Sequence, residues 1–381
     1  MLASRPQSKR GFPVRPITLF LCGDVMTGRG IDQILPRPSN TVLYESFVKS
    51  ARDYLELAER RHGRIPAPVN FDYIWGDALK VLAQQRPDAR IINLETAVTA
   101  SDDYWRGKGI NYRMHPDNVG CLTAAGIDCC VLANNHVLDW GYAGLDETLR
   151  VLQAAGMQTA GAGPNLETAA VPAVIPLTQD ARVIVFAFGA ESSGVPASWA
   201  ATETRAGVNL LRDAERTVRY VRETCAKIRR AGDMVLVSIH WGANWGYEVS
   251  QSQQELAHQL IDEAQVDLVH GHSSHHVKAM EVYKGRLVLY GCGDFINDYE
   301  GIGGYDEFRS DLALMYFPAL ERSSGELVSL RMVPMQTRNF RSGRATPADA
   351  AWLHQVIDRQ VRRFGAGVDL QDDHTMTLNW Q

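Results

Sequence analysis

No C-x2-C pair occurs among the six cysteines, Cys22, Cys121, Cys129, Cys130, Cys225 and Cys292, and six thiols in 381 residues fall far short of a disulfide scaffold. That speaks against a cysteine-held zinc site and an oxidised secreted module, and a reducing compartment is the simpler expectation. Long apolar runs are missing from the start of the chain. Met1 to Pro16 is basic and polar, and the first run, Ile17 to Cys22, is far shorter than the roughly 18 residues a membrane span requires. The expectation is a cytoplasmic protein with no signal peptide, no anchor and no direct membrane insertion. A charge excess is lacking too: 39 Lys+Arg against 44 Asp+Glu leaves −5 at pH 7, and no Lys/Arg-rich stripe offsets that mean, so nucleic acid is not an expected partner. Internal repeats and low-complexity tracts are absent. With 45% hydrophobic and 22% charged residues, the chain is neither disordered nor fibrous.

What the sequence does contain is a succession of short apolar runs alternating with helical patterns and glycine-bearing turns. Strands are predicted at Ile17–Cys22, Arg90–Leu94, Asp128–Ala133, Arg182–Phe188, Met234–Ile239, Asp267–His270, Leu287–Tyr290, Asp311–Phe317 and Val328–Val333. These runs are continuous rather than alternating, the pattern of strands covered on both faces of an α/β fold. Asp117–Gly126 reads as a helix that starts after a proline and stops at a glycine. Ser252–Ala264 reads as another, with Leu256, Leu260, Ile261 and Ala264 on one face. The expected organisation is a flexible tail at 1–16, one main domain at 17–340 with a Pro-punctuated insertion at 36–70 around a charged helix, and a C-terminal helix and tail at 341–381. Cys129 and Cys130, inside an apolar strand, are expected to be core thiols.

Ligands in open α/β sheets collect at the carboxyl ends of strands. Here those ends carry groups that suit a metal ion. The first strand leads into Gly23-Asp24 and Gly28-Arg29-Gly30, the second into Asn93-Leu94-Glu95, the third into Asn134-Asn135-His136 followed by Asp139. Later ends bring His240-Trp241-Gly242, the run His270, His272, His275 and His276, and Gly293-Asp294 followed by Asn297-Asp298. Carboxylate, amide oxygen and imidazole recurring at successive strand ends describe a mixed O/N pocket for a divalent ion. Each motif has a plainer rival: a simple turn for Asp24, a helix cap for Glu95, a solvated loop for the histidine run. Two amides and an imidazole at Asn134–His136 are poor core material unless something satisfies them. Trp241, Trp245 and Tyr247 suit packing and an aromatic substrate rim equally. His275 or His276, with Asp294 or Asp298, is expected to form an acid/base pair across the pocket from His136.

The ordered set GD-x4-R, NLE, ANNH-x2-D-x-G, HWG, GH-x2-H and GDF resembles the CapA, or poly-γ-glutamate (capsule) biosynthesis, family, a branch of the calcineurin-like metallophosphoesterase superfamily. The resemblance spans roughly residues 17–335, with Leu132–His136, Asp139 and Gly141 its most diagnostic part. It implies an α/β/β/α four-layer sandwich and a soluble metal-dependent enzyme. It implies that Asp24, Glu95, Asn135, His240 and His272 or His275 hold a divalent ion, with Mn, Zn, Fe and Ca all open. His136 would be the acid/base group, oriented by Asp139; apart from the resemblance, the residues themselves make His275, His276 and Asp294 further expected catalytic groups. Arg29, Asn134 and Trp241 would contact the substrate, a small peptide, polyglutamate or a phosphorylated compound. Val25 and Met26 after Asp24 depart from the superfamily's Asp-x-His, and Glu95 stands where its bridging aspartate is usual, so a single ion or an altered second site is the expectation. The closing loop, Gly-His-Ser-Ser-His-His, is similar to that of lasso-peptide epimerases. Cα epimerisation and a non-catalytic accessory role are therefore the alternatives to hydrolysis.

Overall fold

A computed structural model describes residues 15–177 and 181–381; the expected N-terminal tail therefore lies, up to residue 14, outside the described residues. All nine predicted runs contribute strands, and these assemble into two large sheets of a mixed α/β protein. The first sheet has ten strands. Its main path runs Ala366–Leu370, Met376–Trp380, Leu327–Arg338, Leu312–Leu320, Ile17–Val25, Ala89–Leu94, Cys129–Val131, Gln158–Ala160, with Asp294–Ile296 and Arg341–Arg344 pairing off this path. From Ile17–Val25 to Gln158–Ala160 the pairing is parallel, whereas Leu312–Leu320 joins Ile17–Val25 antiparallel. The second sheet has seven strands, with Arg182–Ala190, Met234–His240, Leu268–His272 and Arg286–Leu289 parallel at its centre.

Alternation along these central strands decides what meets what. Val183, Val185, Ala187, Met234, Leu236, Leu268, Leu287 and Leu289 share one core with the first sheet. The intervening Ile184, Phe186, Phe188, Val235, Val237, Ile239, Val269 and Val288 pack with Val218 and Val221 of helix Ala214–Ile228 and Leu256 and Leu260 of helix Gln251–Ala264. Each such side chain, once buried, contributes about 1.5–3 kcal/mol of transfer free energy. Because side chains repeat every second residue, Ser238 and His240, and likewise His270 and His272, continue the face turned toward the first sheet. His270 Nε2 crosses to the carbonyl of Cys22, 2.8 Å away, on the first strand.

Close backbone approach fixes glycine where these pieces meet. A Cβ at Gly271, between the two histidines, would lie 2.6 Å from the Leu289 carbonyl and 2.6 Å from the Trp241 indole nitrogen. A Cβ at Gly23 would lie 1.8 Å from the Gly293 carbonyl, on the loop that accepts a hydrogen bond from the Asp24 amide. Gly271→Ala is therefore expected to cost about 1–3 kcal/mol, the range for an overpacked interior, and to displace His272. Denaturant melts check the first effect and metal content after purification the second.

Several expectations change. Leu327–Arg338 is not covered on both faces throughout, since Val328 is half exposed. Asp117–Gly126 is not one helix: a 3-10 turn at Pro116–Asn118 and a five-residue helix Gly120–Ala124 divide it, with Gly120, a weak helix former, at the break and close against the Phe71 ring. The charged helix of the insertion is Ala51–His62, started by a Ser50/Asp53 capping box. Beyond residue 340 the chain forms helix Pro347–Val361, capped by Thr346, and then a hairpin whose strand Met376–Trp380 pairs with Leu327–Arg338. The expected tail is thus an integral edge of the first sheet. Buried Met376 and Leu378 alternate with Thr377 and Asn379, the pattern of a strand with one face covered, and Ala366–Leu370 beyond it forms the edge. Among the described residues no helix is long and apolar enough to cross a membrane. All six cysteines are buried and free, Cys129 and Cys130 among them.

Candidate functional site

Sheet register gathers the polar strand ends. Asp24 stands beside Asn93 on one side and Asp294 on the other in the first sheet, and His240 stands beside His272 in the second. Across the gap between the sheets, one ligand atom from each of Asp24, His240 and His272 falls within 4.8 Å of the others. All three side chains are buried. Glu95 joins them with Oε1 3.8 Å from His240 Nε2, and Asn135 with Oδ1 3.1 Å from the same nitrogen.

Each member resists its charged state. Burial, and then the charge of Asp294, pushes the Asp24 carboxyl up to about 7. Burial, and then Asp24, raises Glu95 well above the usual carboxylate range. Burial holds His240 and His272 well below the ordinary imidazole range, reinforced for His240 by His136 and His275 and for His272 by His240 and His270. His240 Nδ1 and His272 Nδ1 are 2.8 Å apart, so a shared proton is the most that pair can carry. Buried carboxylates beside unprotonated imidazoles form a donor set short of positive charge. A divalent cation fits it, with two nitrogens and carboxylate oxygens as borderline ligands.

Second-layer contacts hold these ligands in place. Asn93 Nδ2 donates to Asp24 Oδ1 at 2.8 Å and to Glu95 Oε2 at 3.2 Å, bridging the two carboxylates. Ser238 Oγ lies 2.9 Å from His272 Nε2 and 3.1 Å from His270 Nδ1, so His272 faces the site through Nδ1, 3.8 Å from Asp24 Oδ1. Such outer contacts orient ligands and set their basicity.

His136 sits on the third strand end with Nδ1 2.6 Å from Asp139 Oδ2 and Nε2 3.8 Å from Glu95 Oε1. Burial lowers it to about 4, Asp139 opposing and Lys108 assisting, so it is neutral at pH 7. On the other flank His275 Nδ1 lies 3.0 Å from Asp294 Oδ1. Burial, the largest single influence, works against charging His275, but the charge and hydrogen bond of Asp294 together with the charge of Asp24 raise the imidazole above its ordinary range. A raised folded-state value means that this pair stabilises the protein fully below the unfolded pKa of about 6.5 and loses the contribution as pH rises through the folded value. Thermal melts of wild type and His275→Gln are expected to differ most in acid and to converge in alkali.

Beside His275 opens a cavity of about 710 Å³, lined also by Trp245, Asn297 and Tyr299 and, toward solvent, by Arg61, Arg309 and Arg338. Phe47, Ile302 and Tyr305, all exposed, form part of its wall.

Four expected site residues make contacts other than those expected, although Arg29 also lines this cavity. Arg29 forks onto the protein's own Asp298 at 2.5 and 3.1 Å and pairs with Glu45 at 3.0 Å, its guanidinium 3.8 Å from the centre of the Tyr54 ring. Its charge is therefore already matched. Asn134 is fully buried; its amide donates to Asn93 Oδ1 and the Leu94 carbonyl and its oxygen accepts from the His136 amide, so it braces the site. Trp241 donates its indole N–H to the Tyr290 carbonyl and packs in the helix-side core. His276 is enclosed by Trp245, Tyr247 and Phe308, with Nδ1 3.0 Å from the Val277 carbonyl, and makes no contact with Asp294. Of the two adjacent histidines only His275 meets a carboxylate. Sequence reasoning missed Lys108, which reaches both His136 and Asp139 from a loop; its only local mark is its place between Gly107 and Gly109.

A mixed α/β protein with a carboxylate–imidazole cluster where two sheets meet is the class these features define. The family model for "Bacterial capsule synthesis protein PGA_cap" matches residues 18–299, and the chain belongs to that family. The matched stretch contains every site residue from Asp24 to Asp298. The chain is similar to a probable polyglutamine synthesis accessory protein of Mycobacterium tuberculosis, 48% identical over 366 residues covering 95% of this chain and 96% of that protein. It is similar to the capsule biosynthesis protein CapA of Bacillus anthracis at 24% identity, covering 91% and 73%, and to the PGA biosynthesis protein CapA of Bacillus subtilis at 28%, covering 59% and 56%.

Proposed function

We propose that this chain is a metal-dependent hydrolase acting on a peptide-like, carboxylate-bearing chain of the polyglutamate type. The observation that carries the reading is the convergence of Asp24, His240 and His272, with Glu95 and Asn135 beside them, next to His136. A divalent ion held there would supply Lewis-acid polarisation of a substrate oxygen. The residues do the rest. His136, its Nδ1 turned to Asp139, offers Nε2 toward the cluster to take up and return a proton. Asn93 keeps Asp24 and Glu95 aligned, and the cavity beside His275 takes the substrate, its carboxylates drawn by Arg61 and Arg338. The printed names of the relatives, which refer to polyglutamine, PGA and capsule synthesis, support a polyglutamate substrate. We also read the two sheets with their flanking helices as a four-layer sandwich, and the six free thiols as favouring a cytoplasmic site of action.

One arrangement favours a second reading, Cα epimerisation: two histidine–carboxylate pairs, His136–Asp139 and His275–Asp294, both lie close enough to His240 to lower its basicity. A single assay series separates the readings. Protein loaded with Mn²⁺ or Zn²⁺ is incubated with poly-γ-glutamate in D2O, reading free amines, chain length and deuterium at Cα, with p-nitrophenyl phosphate alongside. New amines support hydrolysis of an amide; deuterium without cleavage transfers the assignment to epimerisation; release of p-nitrophenol alone moves the substrate to phosphate esters. Polymer binding without any of these overturns the enzyme in favour of an accessory role.

A further inference from the structure

We propose that Lys108 is a positioning residue for the His136–Asp139 pair, fixing which nitrogen of His136 carries the proton. The inference rests on reading His136 as the proton-transfer residue and adds the group that governs it. An ammonium has three hydrogens to place. Around Lys108 Nζ stand three acceptors: Asp139 Oδ1, with which it is paired, the Ile110 carbonyl at 3.1 Å and His136 Nδ1 at 2.9 Å. His136 Nδ1 is thus faced by two groups with opposite demands. Asp139 Oδ2, at 2.6 Å, needs a hydrogen on Nδ1; Lys108 needs a lone pair there.

The shorter contact to an ionised oxygen gives the hydrogen to Asp139, since a bare Nδ1 would bring two lone pairs within 2.6 Å. Nε2, the nitrogen toward Glu95, is then left bare. Lys108 keeps that outcome by holding Asp139 still. It takes Oδ1, while the Tyr112 amide donates to Oδ2 at 2.6 Å and the Trp105 amide donates to the Asp139 carbonyl at 2.8 Å. The carboxylate is therefore pinned at both oxygens by the loop that carries Lys108, the ammonium itself standing beside the imidazole. Without the ammonium, Oδ1 loses its charged partner and the Tyr112 amide alone holds the carboxylate, through Oδ2, so the grip on the Nδ1 hydrogen loosens and Nδ1 and Nε2 compete for it.

The test is substitution of Lys108 by Met, which keeps the length of the stem and removes the charge. Selectively ¹⁵N-histidine-labelled protein is followed by long-range ¹H–¹⁵N correlation, with the His136 signals assigned from His136→Gln. Wild type is expected to show one tautomer, hydrogen on Nδ1; Lys108→Met is expected to show a mixture of both. On the true substrate kcat should fall about 10–100-fold, as for other residues that orient a reacting group, with KM and metal content unchanged and partial recovery in Lys108→Arg. Lys108→Gln serves if the Met variant folds poorly. An unchanged single Nδ1–H tautomer in a folded Lys108 variant overturns the proposal. The two levels fail separately. A fully active His136→Gln together with a tautomer shift in Lys108→Met would refute the role of His136 and keep Lys108 as its holder. An inactive His136→Gln with no shift in Lys108→Met would do the reverse.

Discussion

The double variant Asp24→Ala, His240→Ala is expected to purify with essentially no divalent metal, whereas wild type retains it. Two of the three converging donors are removed, and His272, held by Ser238 on its far nitrogen, is left as a single imidazole. The change should not unfold the chain. Asp24 is a buried carboxyl pushed up to about 7, first by burial and then by Asp294, so the metal-free protein already bears the cost of keeping it. Removing Asp24 and His240 together leaves neither as an uncompensated buried partner of the other, while Asn93 Nδ2 and the Ser273 amide each lose an acceptor, so the double variant is expected to fold with reduced stability. Chelation provides the second readout. A ligand at about 100 times its Kd stabilises the fold by about 2.7 kcal/mol, so EDTA should lower the melting temperature of wild type and leave that of the double variant in place. Equal, near-zero metal in both proteins by elemental analysis, with no effect of the chelator, would remove the ion from the site.

That cluster was largely legible before any coordinates, because it depends on two things a sequence displays: where apolar runs stop, and which residues follow. The end of Ile17–Val25 had to carry Asp24 and the end of Met234–His240 had to carry His240, whatever the packing around them. The period of two along Leu268–His272 even assigns His270 and His272 to one face, although which face required the second sheet to be seen. Legibility stopped where partners come from remote chain segments. Arg29 looks like a substrate fork from its glycine neighbours, and only the fold brings Asp298, distant by 269 positions, onto its guanidinium. The adjacent amides Asn134 and Asn135 cannot be ranked by type; the strand end turns the first into the sheet and the second toward His240.

His275 and His276 show the same limit. Reading them as an extended pair sends one of the two away from the site, but the strand ends at His272 and the chain bends at both positions, so alternation alone does not settle which. Trp245, Tyr247 and Phe308 decide which, since they enclose His276 in an aromatic box where burial lowers it to about 4 and keeps it neutral. The C-terminal hairpin escaped because Met376–Trp380 is five residues long and only half buried, too short and too mixed to stand out from a tail.

His136→Ala should lose turnover by about 10²–10⁴-fold on the true substrate, the usual effect of deleting a general acid or base, while keeping its metal. Metal is retained because His136 is outside the converging triad and touches it only through Glu95, at 3.8 Å. The residue is suited to the base role rather than to carrying a charge: burial, with Lys108 adding to it and Asp139 opposing, lowers it to about 4, so the unprotonated form persists across neutral pH and is lost only in acid. Asp139→Asn should cost less in rate, since an amide still contacts Nδ1, but more in stability. Asp139 is the main anionic partner of the nearly buried Lys108 ammonium, ahead of Glu95, and also receives the Tyr112 amide. Breaking a buried pair from one side costs about 3–5 kcal/mol at the upper end, so its loss should appear in a denaturant melt before it appears in kcat. The two variants thus separate on two axes, rate for His136 and stability for Asp139. A His136→Ala protein with wild-type turnover would take the imidazole out of the chemistry, and a rate loss in Asp139→Asn equal to that of His136→Ala would assign the carboxylate a share in proton transfer itself.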